Sequence, residues 1–357
     1  MNVNVAGIDW GDANIPFDGG VIGFDFGRSN FRVAFTDSYG RILTGTQVSG
    51  EEWQEILKRS YEDILSAMYE AMRAVVNKTG RPFSAVRAVG GCLPGPLWPD
   101  AGKGEMGTPP GLRVLWNRPI GDDISRDLQV PVAIANDADC HGLTICYFKL
   151  TTDYLRHTVC GWALGSGTGF WRLEGGKLFR GRGMAPDDGH RSLDPGGPLC
   201  RCGARGCPEA TVSGYGLVNL FNNLAKGSGF VIHDAAELPV LIEQGSELAN
   251  AVVRAAGKCL GRMFAGTIIS YQPKAIIVSG SLVKLGDSFI DAAKDELSLL
   301  ACGSVVLGTM FPGTEIKVVE LDEHAAAWGA AHLALDLANA ASWDAKNLEN
   351  MKKGGVE

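Results

Sequence analysis

One short stretch constrains this chain more than any other. It reads Gly189-His190-Arg191-Ser192-Leu193-Asp194-Pro195-Gly196-Gly197-Pro198-Leu199-Cys200-Arg201-Cys202-Gly203-Ala204-Arg205-Gly206-Cys207-Pro208-Glu209. Its cysteines follow C-x-C-x4-C spacing, and His190 stands ten residues before the first of them. Three thiolates and an imidazole form the donor set of a closed tetrahedral zinc site. Gly203 and Gly206 permit the tight turns that aim three sulfurs at one point. Pro195, Gly196, Gly197 and Pro198 make the stretch an irregular loop with little regular structure to hold it without a metal. In zinc-finger peptides such a site contributes roughly 10–16 kcal/mol of folding free energy. The alternative is three buried thiols with an incidental histidine, but free cysteines seldom cluster on a Gly/Pro-rich loop. An iron–sulfur centre fits less well, since no fourth cysteine is nearby. The expected ligands are His190, Cys200, Cys202 and Cys207, and the expected metal is structural zinc.

The rest of the chain is built to bury a core. Its 357 residues suggest two domains, and 45% hydrophobic against 20% charged residues is a globular balance. The net charge of -7, with no basic cluster, argues against a nucleic-acid surface. Six further cysteines (Cys92, Cys140, Cys146, Cys160, Cys259, Cys302) lie scattered in apolar runs and read as core thiols, a reduced, cytoplasmic pattern. Met1–Gly20 carries Asp9, Asp12 and Asp18 and lacks the apolar centre of a signal peptide. No apolar run approaches the roughly eighteen residues of a membrane span.

In order, Val21–Phe26, Phe31–Phe35 and Arg41–Val48 read as strands, and the spacing of apolar residues predicts one long helix over Glu51–Asn77. A strand at Ala85–Val89 precedes the Gly/Pro-rich loop Pro94–Gly111, which is long enough to line a site. Val130–Ala135 is a strand opening onto Asn136-Asp137, with a helix from Ala138 to Phe148. The pattern then restarts. Val21-Ile22-Gly23-Phe24-Asp25-Phe26-Gly27 aligns with Val159-Cys160-Gly161-Trp162-Ala163-Leu164-Gly165, each followed by a small polar loop and a hairpin. A unit used twice suggests a duplicated α/β domain with a cleft between the halves. Helices are expected at Val212–Leu224, Leu248–Ser270, Gly286–Leu300 and Glu323–Ala341, and strands at Ala275–Val278 and Glu315–Leu321. The expected domains are a leader at 1–20, an N-terminal α/β domain at 21–137 plus 324–345, a C-terminal α/β domain at 138–323 holding the metal loop 187–209, and a charged tail at 346–357.

The pattern G-H-x4-P-x-G-P-x-C-x-C-G-x2-G-C-x-E resembles the signature of the ROK group of repressors, uncharacterised reading frames and sugar kinases. The resemblance runs from Val21 to about Leu337 and implies a two-domain ribonuclease-H-like fold of the actin-like ATPase type. It implies that His190 and Glu209 face a sugar as well as bracing the zinc loop. Asp25-Phe26-Gly27-Arg28-Ser29-Asn30 is similar to the family's D-x-G-G-T-[KN] phosphate loop, departing at Arg28 and Ser29. By that likeness Asp25 points toward Mg²⁺ on ATP, and Gly27, Ser29 and Asn30 hold phosphate. Gly165-Ser166-Gly167-Thr168 is similar to the family's second phosphate loop, and Gly280 to its adenosine turn. Backbone N–H groups of such loops suit phosphate oxygens, although plain turn chemistry explains either loop taken alone.

Ala135-Asn136-Asp137-Ala138-Asp139 keeps the centre of the family's E-N-D-A-N motif, with Ala for the first residue and Asp for the last. In the family the motif's Asp takes the proton from the sugar hydroxyl, a role the resemblance gives to Asp137; the competing reading is a helix cap. Asn136, Asp187, His190, Glu209 and Gly95 are the implied polyol contacts. Asp187 replaces a glutamate, and Pro110 stands where the family has a sugar-facing Asn, so the substrate is expected to be an uncommon hexose, an N-acyl hexosamine or a C7-cyclitol. A glucokinase-type hexose 6-kinase is one alternative. Another is a non-catalytic sugar sensor, although too few residues precede Val21 for a helix-turn-helix. Homodimers are common in the family, so a homodimer is an open expectation. His141, His157, His233, His324 and His332 read as surface or packing residues.

Overall fold

The structure is a computed structural model whose described residues are 18–27, 29–95, 112–115, 118–181 and 187–353, excepting the side chains of 113, 152 and 340–353. The expected leader up to residue 17, most of the Pro94–Gly111 loop including Pro110, and Arg28 lie outside them.

The chain divides into two compact units: Met1–Lys149 with Arg180–Ala185 and Asp322–Glu357, and Leu150–Phe179 with Pro186–Leu321. The first holds strands β1 (Gly20–Phe26), β2 (Phe31–Asp37), β3 (Ile42–Val48), β4 (Val86–Leu93) and β5 (Val132–Asn136), and helices α1 (Gly50–Ile56), α2 (Tyr61–Asn77), α3 (Ile120–Leu128) and α4 (Asp137–Phe148). Its sheet order is β3-β2-β1-β4-β5, with β1 antiparallel to β2 and parallel to β4. As the central strand, β1 is buried on both faces, which explains its nearly unbroken apolar run. Alternation sends Ile22, Phe24 and Phe26 into the core beneath α2. Val21 and Asp25 take the opposite face, where Val21 packs against the C-terminal helix.

The second unit contains α5 (Thr152–Leu155), β6 (Thr158–Leu164), β7 (Thr168–Glu174), β8 (Lys177–Leu178), α6 (Gly214–Leu224), α7 (Glu237–Glu243), α8 (Glu247–Tyr271), β9 (Ala275–Ser279), α9 (Asp287–Gly303), α10 (Val305–Met310) and β10 (Glu315–Val318). Its sheet order is β10-β9-β6-β7-β8, with β6 antiparallel to β7 and parallel to β9. Both sheets therefore share one topology, as the repeated heptapeptide suggests.

Helix α11 (Ala325–Lys353) returns to the first unit. Its alanines lie so close to the sheet that a Cβ on Gly23 would sit 2.0 Å from the Ala327 carbonyl oxygen, and one on Gly90 1.7 Å from that of Ala330. Small residues on both partners make this approach possible.

Four expectations need correction. The long helix over Glu51–Asn77 is two, because Ser60 caps a new start: its Oγ accepts from the Asp63 N–H at 3.1 Å. Helix α4, expected in the second domain, belongs to the first unit, where Thr144 Oγ1 donates to the Ala325 carbonyl and Cys140 joins the core formed with Ala326 and Ala330. The expected tail from residue 346 continues α11 as far as Lys353. Cys302, read as a core thiol, is exposed. Among the described residues, no single helix is long and apolar enough to cross a membrane.

Candidate active site

In the first unit the parallel register sets Asp25 beside Cys92, and Cys92 beside Ala135, at the ends of three neighbouring strands. The strand that ends next to them, β5, passes directly into α4. Asn136 is the N-cap: its Oδ1 accepts from the Ala138 N–H at 2.8 Å, while its Nδ2 donates to the Gly95 carbonyl at 2.9 Å. Both ends of this amide are engaged within the chain. Asp137 follows as the first helical residue, exposed, with Oδ1 also accepting from Ala138 N–H at 2.8 Å. Capping is thus the work of Asn136, and Asp137 presents its carboxylate outward beside the positive end of the helix.

Asp25 lies 3.4 Å from Arg32 Nη1. Burial pushes the Asp25 carboxyl up; His141 and Arg32 pull it down, and Asp137 adds a smaller upward push. His141, expected from the sequence to be a surface or packing residue, therefore faces Asp25, one turn beyond Asp137. The adjoining loop is braced by Gly27 N–H to the Asn30 carbonyl at 3.0 Å, by Trp53 Nε1 to the Gly27 carbonyl at 2.9 Å, and by Gly50 N–H to Asn30 Oδ1 at 3.3 Å. Ser29 at its tip is exposed.

In the second unit the loop after β6 is stapled by Glu209. Its Oε2 accepts from the Thr168 N–H at 3.1 Å, and a Cβ on Gly167 would lie 2.9 Å from the same oxygen. Gly165 N–H is bonded to the Gly167 carbonyl and Gly214 N–H to that of Gly165, while the Thr168 hydroxyl donates to Val212. Ser166 is the exposed residue of the loop. Gly280, at φ +96°, abuts the end of β6, where any Cβ would meet the Leu164 carbonyl oxygen at 2.3 Å. The structure thus brings together Gly165, Gly167, Thr168, Gly280 and Glu209, all singled out in the sequence.

The same unit gathers His190, Cys200, Cys202 and Cys207, whose donor atoms all lie within 4.8 Å of one another. The Cys202 and Cys207 sulfurs are 3.7 Å apart. The edge of a tetrahedron with Zn–S bonds of about 2.3 Å is about 3.8 Å, so this pair matches the edge of a tetrahedral metal site. His190 divides its ring: Nδ1 is 3.5 Å from Cys200 Sγ, while Nε2 is 3.9 Å from both Asp187 Oδ2 and Glu209 Oε2. Burial disfavours the imidazolium, but Asp187, Glu209 and Cys200 together outweigh it and the His190 pKa is raised. Neighbouring Asp188 is a bracing residue, 3.3 Å from the Tyr271 hydroxyl and 3.8 Å from Arg191.

Comparison with known proteins matches residues 21–337 to the model of the ROK family. The chain belongs to the ROK family. A glucokinase from Thermotoga maritima is 25% identical over 324 residues, covering 88% of this chain and 96% of the relative. An N-acetyl-D-glucosamine kinase from Haemophilus influenzae is 29% identical over 271 residues, covering 68% and 84%. A ROK family glucokinase from Streptomyces griseus, solved with glucose and AMPPNP, superposes with a TM-score of 0.68 at 26% identity, covering 88% of this chain and 99% of that one. The ROK sugar-kinase fold, with its two mixed sheets, follows. Arg32 and the roles of Cys92 and His141 escaped the sequence reading, because only strand register and helix packing place them beside Asp25. The one available signal was the position of His141 four residues after Asp137, on the same helical face.

Proposed function

We propose that this ROK protein is an ATP- and Mg²⁺-dependent kinase that transfers the γ-phosphoryl group to a primary hydroxyl of a hexose or hexose-like polyol. The observation that carries the reading is the exposed Asp137 carboxylate, set at the first position of α4 by the Asn136 cap. In this reading Asp137 accepts the proton of the hydroxyl as its oxygen bonds to the γ-phosphorus and the bond from that phosphorus to the ADP oxygen breaks. Asn136, Gly95, Asp187, His190 and Glu209 are the residues assigned to the polyol. Ser166 and Gly167 in one loop, and Ser29 and Asn30 in the other, offer backbone donors to phosphate, with Gly27 holding the turn through its bond to the Asn30 carbonyl. Mg²⁺ supplied with ATP would neutralise phosphate charge, and Asp25 is the carboxylate suited to face it. Zinc, held by His190, Cys200, Cys202 and Cys207, would cross-link the loop that carries Glu209.

The shorter Asp187 supports an uncommon hexose, an N-acyl hexosamine or a C7-cyclitol. A glucokinase-type 6-kinase is the second reading, favoured by the names of the relatives. ATP consumption measured against glucose, other hexoses, N-acyl hexosamines and cyclitols separates the two. Absence of turnover across the whole panel would leave a sugar-binding, non-catalytic role. Asp137→Asn is expected to lower kcat by about 10²–10⁴-fold; full turnover in that variant removes the base.

A further inference from the structure

The third position of α4 carries a carboxylate that neither packing nor capping explains. Asp139 is 1% exposed, and its Oδ1 has no hydrogen-bond partner among the described residues. An ionised carboxylate is costly in such a place, and a neutral amide of the same size would fill the space without that cost. Opposite stands Arg180, just beyond β8. Its Nη2 donates to the Ile134 carbonyl on β5, and its Nε is buried without a partner. A buried carboxylate and a half-buried guanidinium, each with an unused polar atom, therefore flank the strand end that delivers Asn136 and Asp137.

We propose that Asp139, facing Arg180, is a positioning residue that acts through Asp137. With Asp139 ionised, its negative charge two residues away makes Asp137 the stronger proton acceptor; with Asp139 protonated, that push is lost. The inference rests on Asp137 being the base. Burial lifts the Asp139 carboxyl to about 7, with Arg180 pulling it down and Asp137 pushing it further up. Its charge therefore changes within the range in which a cytoplasmic enzyme works, a property that an asparagine at this position would not have. Arg180 and Asp137 are the charged groups facing it among the described residues. The Cys140 thiol follows Asp139 in the chain: a hydrogen bond with Cys92 lowers its pKa, but burial together with the Asp139, Asp25 and Asp137 charges outweighs this and the pKa is raised, so the thiol stays uncharged.

The test uses the full chain as wild type, Asp139→Asn and Asp137→Asn. For the best acceptor in the panel, kcat and KM are measured from about pH 5.5 to 9. The Asp γ-carboxyl ¹³C shifts are followed over the same range. Wild-type kcat is expected to rise roughly threefold to tenfold through pH 7, since one pKa unit in the base is a tenfold change in proton affinity. In Asp139→Asn that limb disappears while both KM values stay within about twofold, a split that a general loss of packing would not give. In Asp137→Asn the Asp139 titration is expected to move to lower pH, because a like charge has gone. A limb that survives in Asp139→Asn overturns the proposal. So does an Asp139 midpoint unchanged by Asp137→Asn, a measurement that needs no active enzyme and stands even where Asp139→Asn does not fold. Full turnover by Asp137→Asn instead overturns the base assignment, whatever the coupling.

Discussion

Asn136 ties the Gly95 carbonyl to the first turn of α4: Nδ2 reaches the carbonyl at 2.9 Å, while Oδ1 takes the Ala138 N–H at 2.8 Å. One amide thereby fixes a turn after β4 and the helix start that presents Asp137. Replacing it with alanine removes a cap and a loop hydrogen bond together. Asn136→Ala is expected to lower stability by about 1–3 kcal/mol in a urea titration, and to lower kcat more than it raises the KM for ATP. Unchanged stability would show that the amide is idle.

The thiol cluster gives a metal-dependent prediction. Metal analysis of the purified protein is expected to find one zinc per chain. A strong chelator should lower the melting temperature and loosen the loop carrying Glu209, and Cys202→Ala should do the same without chelator. Cys302→Ala is the control, since that thiol is exposed and outside the cluster. Equal melting temperatures for the two variants would argue for free thiols.

Asp139 also links folding to pH. Its carboxyl is raised to about 7 in the folded chain from an ordinary value of 3.8, so the folded state holds the proton more tightly than the unfolded state. Its contribution to stability is therefore full below about pH 4, is lost as the pH rises through about 7, and is flat above that. The loss is on the order of 4 kcal/mol, and Asp139→Asn should be correspondingly less sensitive to pH across that window. Parallel stability curves for the two proteins would mean that Asp139 ionises as readily folded as unfolded.

The approach of α11 to the first sheet leaves no room for a methyl group at Gly90, where a Cβ would sit 1.7 Å from a backbone oxygen. Gly90→Ala is expected to cost about 3 kcal/mol or more, because the obstacle is main chain and cannot swing aside. Gly80→Ala is a useful contrast: nothing lies within 4 Å of its Cβ position, and its cost comes only from φ +72°. Comparable denaturation midpoints for the two would contradict the close packing.

Much of this protein could be read without coordinates wherever the relevant residues are neighbours along the chain. The C-x-C-x4-C loop with His190 gathers its donors from one short segment, and the repeated strand and hairpin announces two like sheets. The break before α2 is also legible in the sequence, where Ser60 and Asp63 make a helix cap across which the apolar periodicity continues unbroken. Periodicity alone runs on across a turn whose apolar residues happen to keep step.

What the sequence determined by itself was the chemistry on hand: a metal-binding loop, two glycine-rich turns, and Asn136-Asp137 at a strand end. Tertiary structure decided which distant residues surround that aspartate. Strand register set Asp25 beside Cys92, α11 drew α4 into the first unit, and burial gave Asp139 a proton it would not hold in water. The reason is physical: donor spacing and turn preference are local properties of the chain, whereas desolvation and the field of a facing arginine arise only when remote segments pack together.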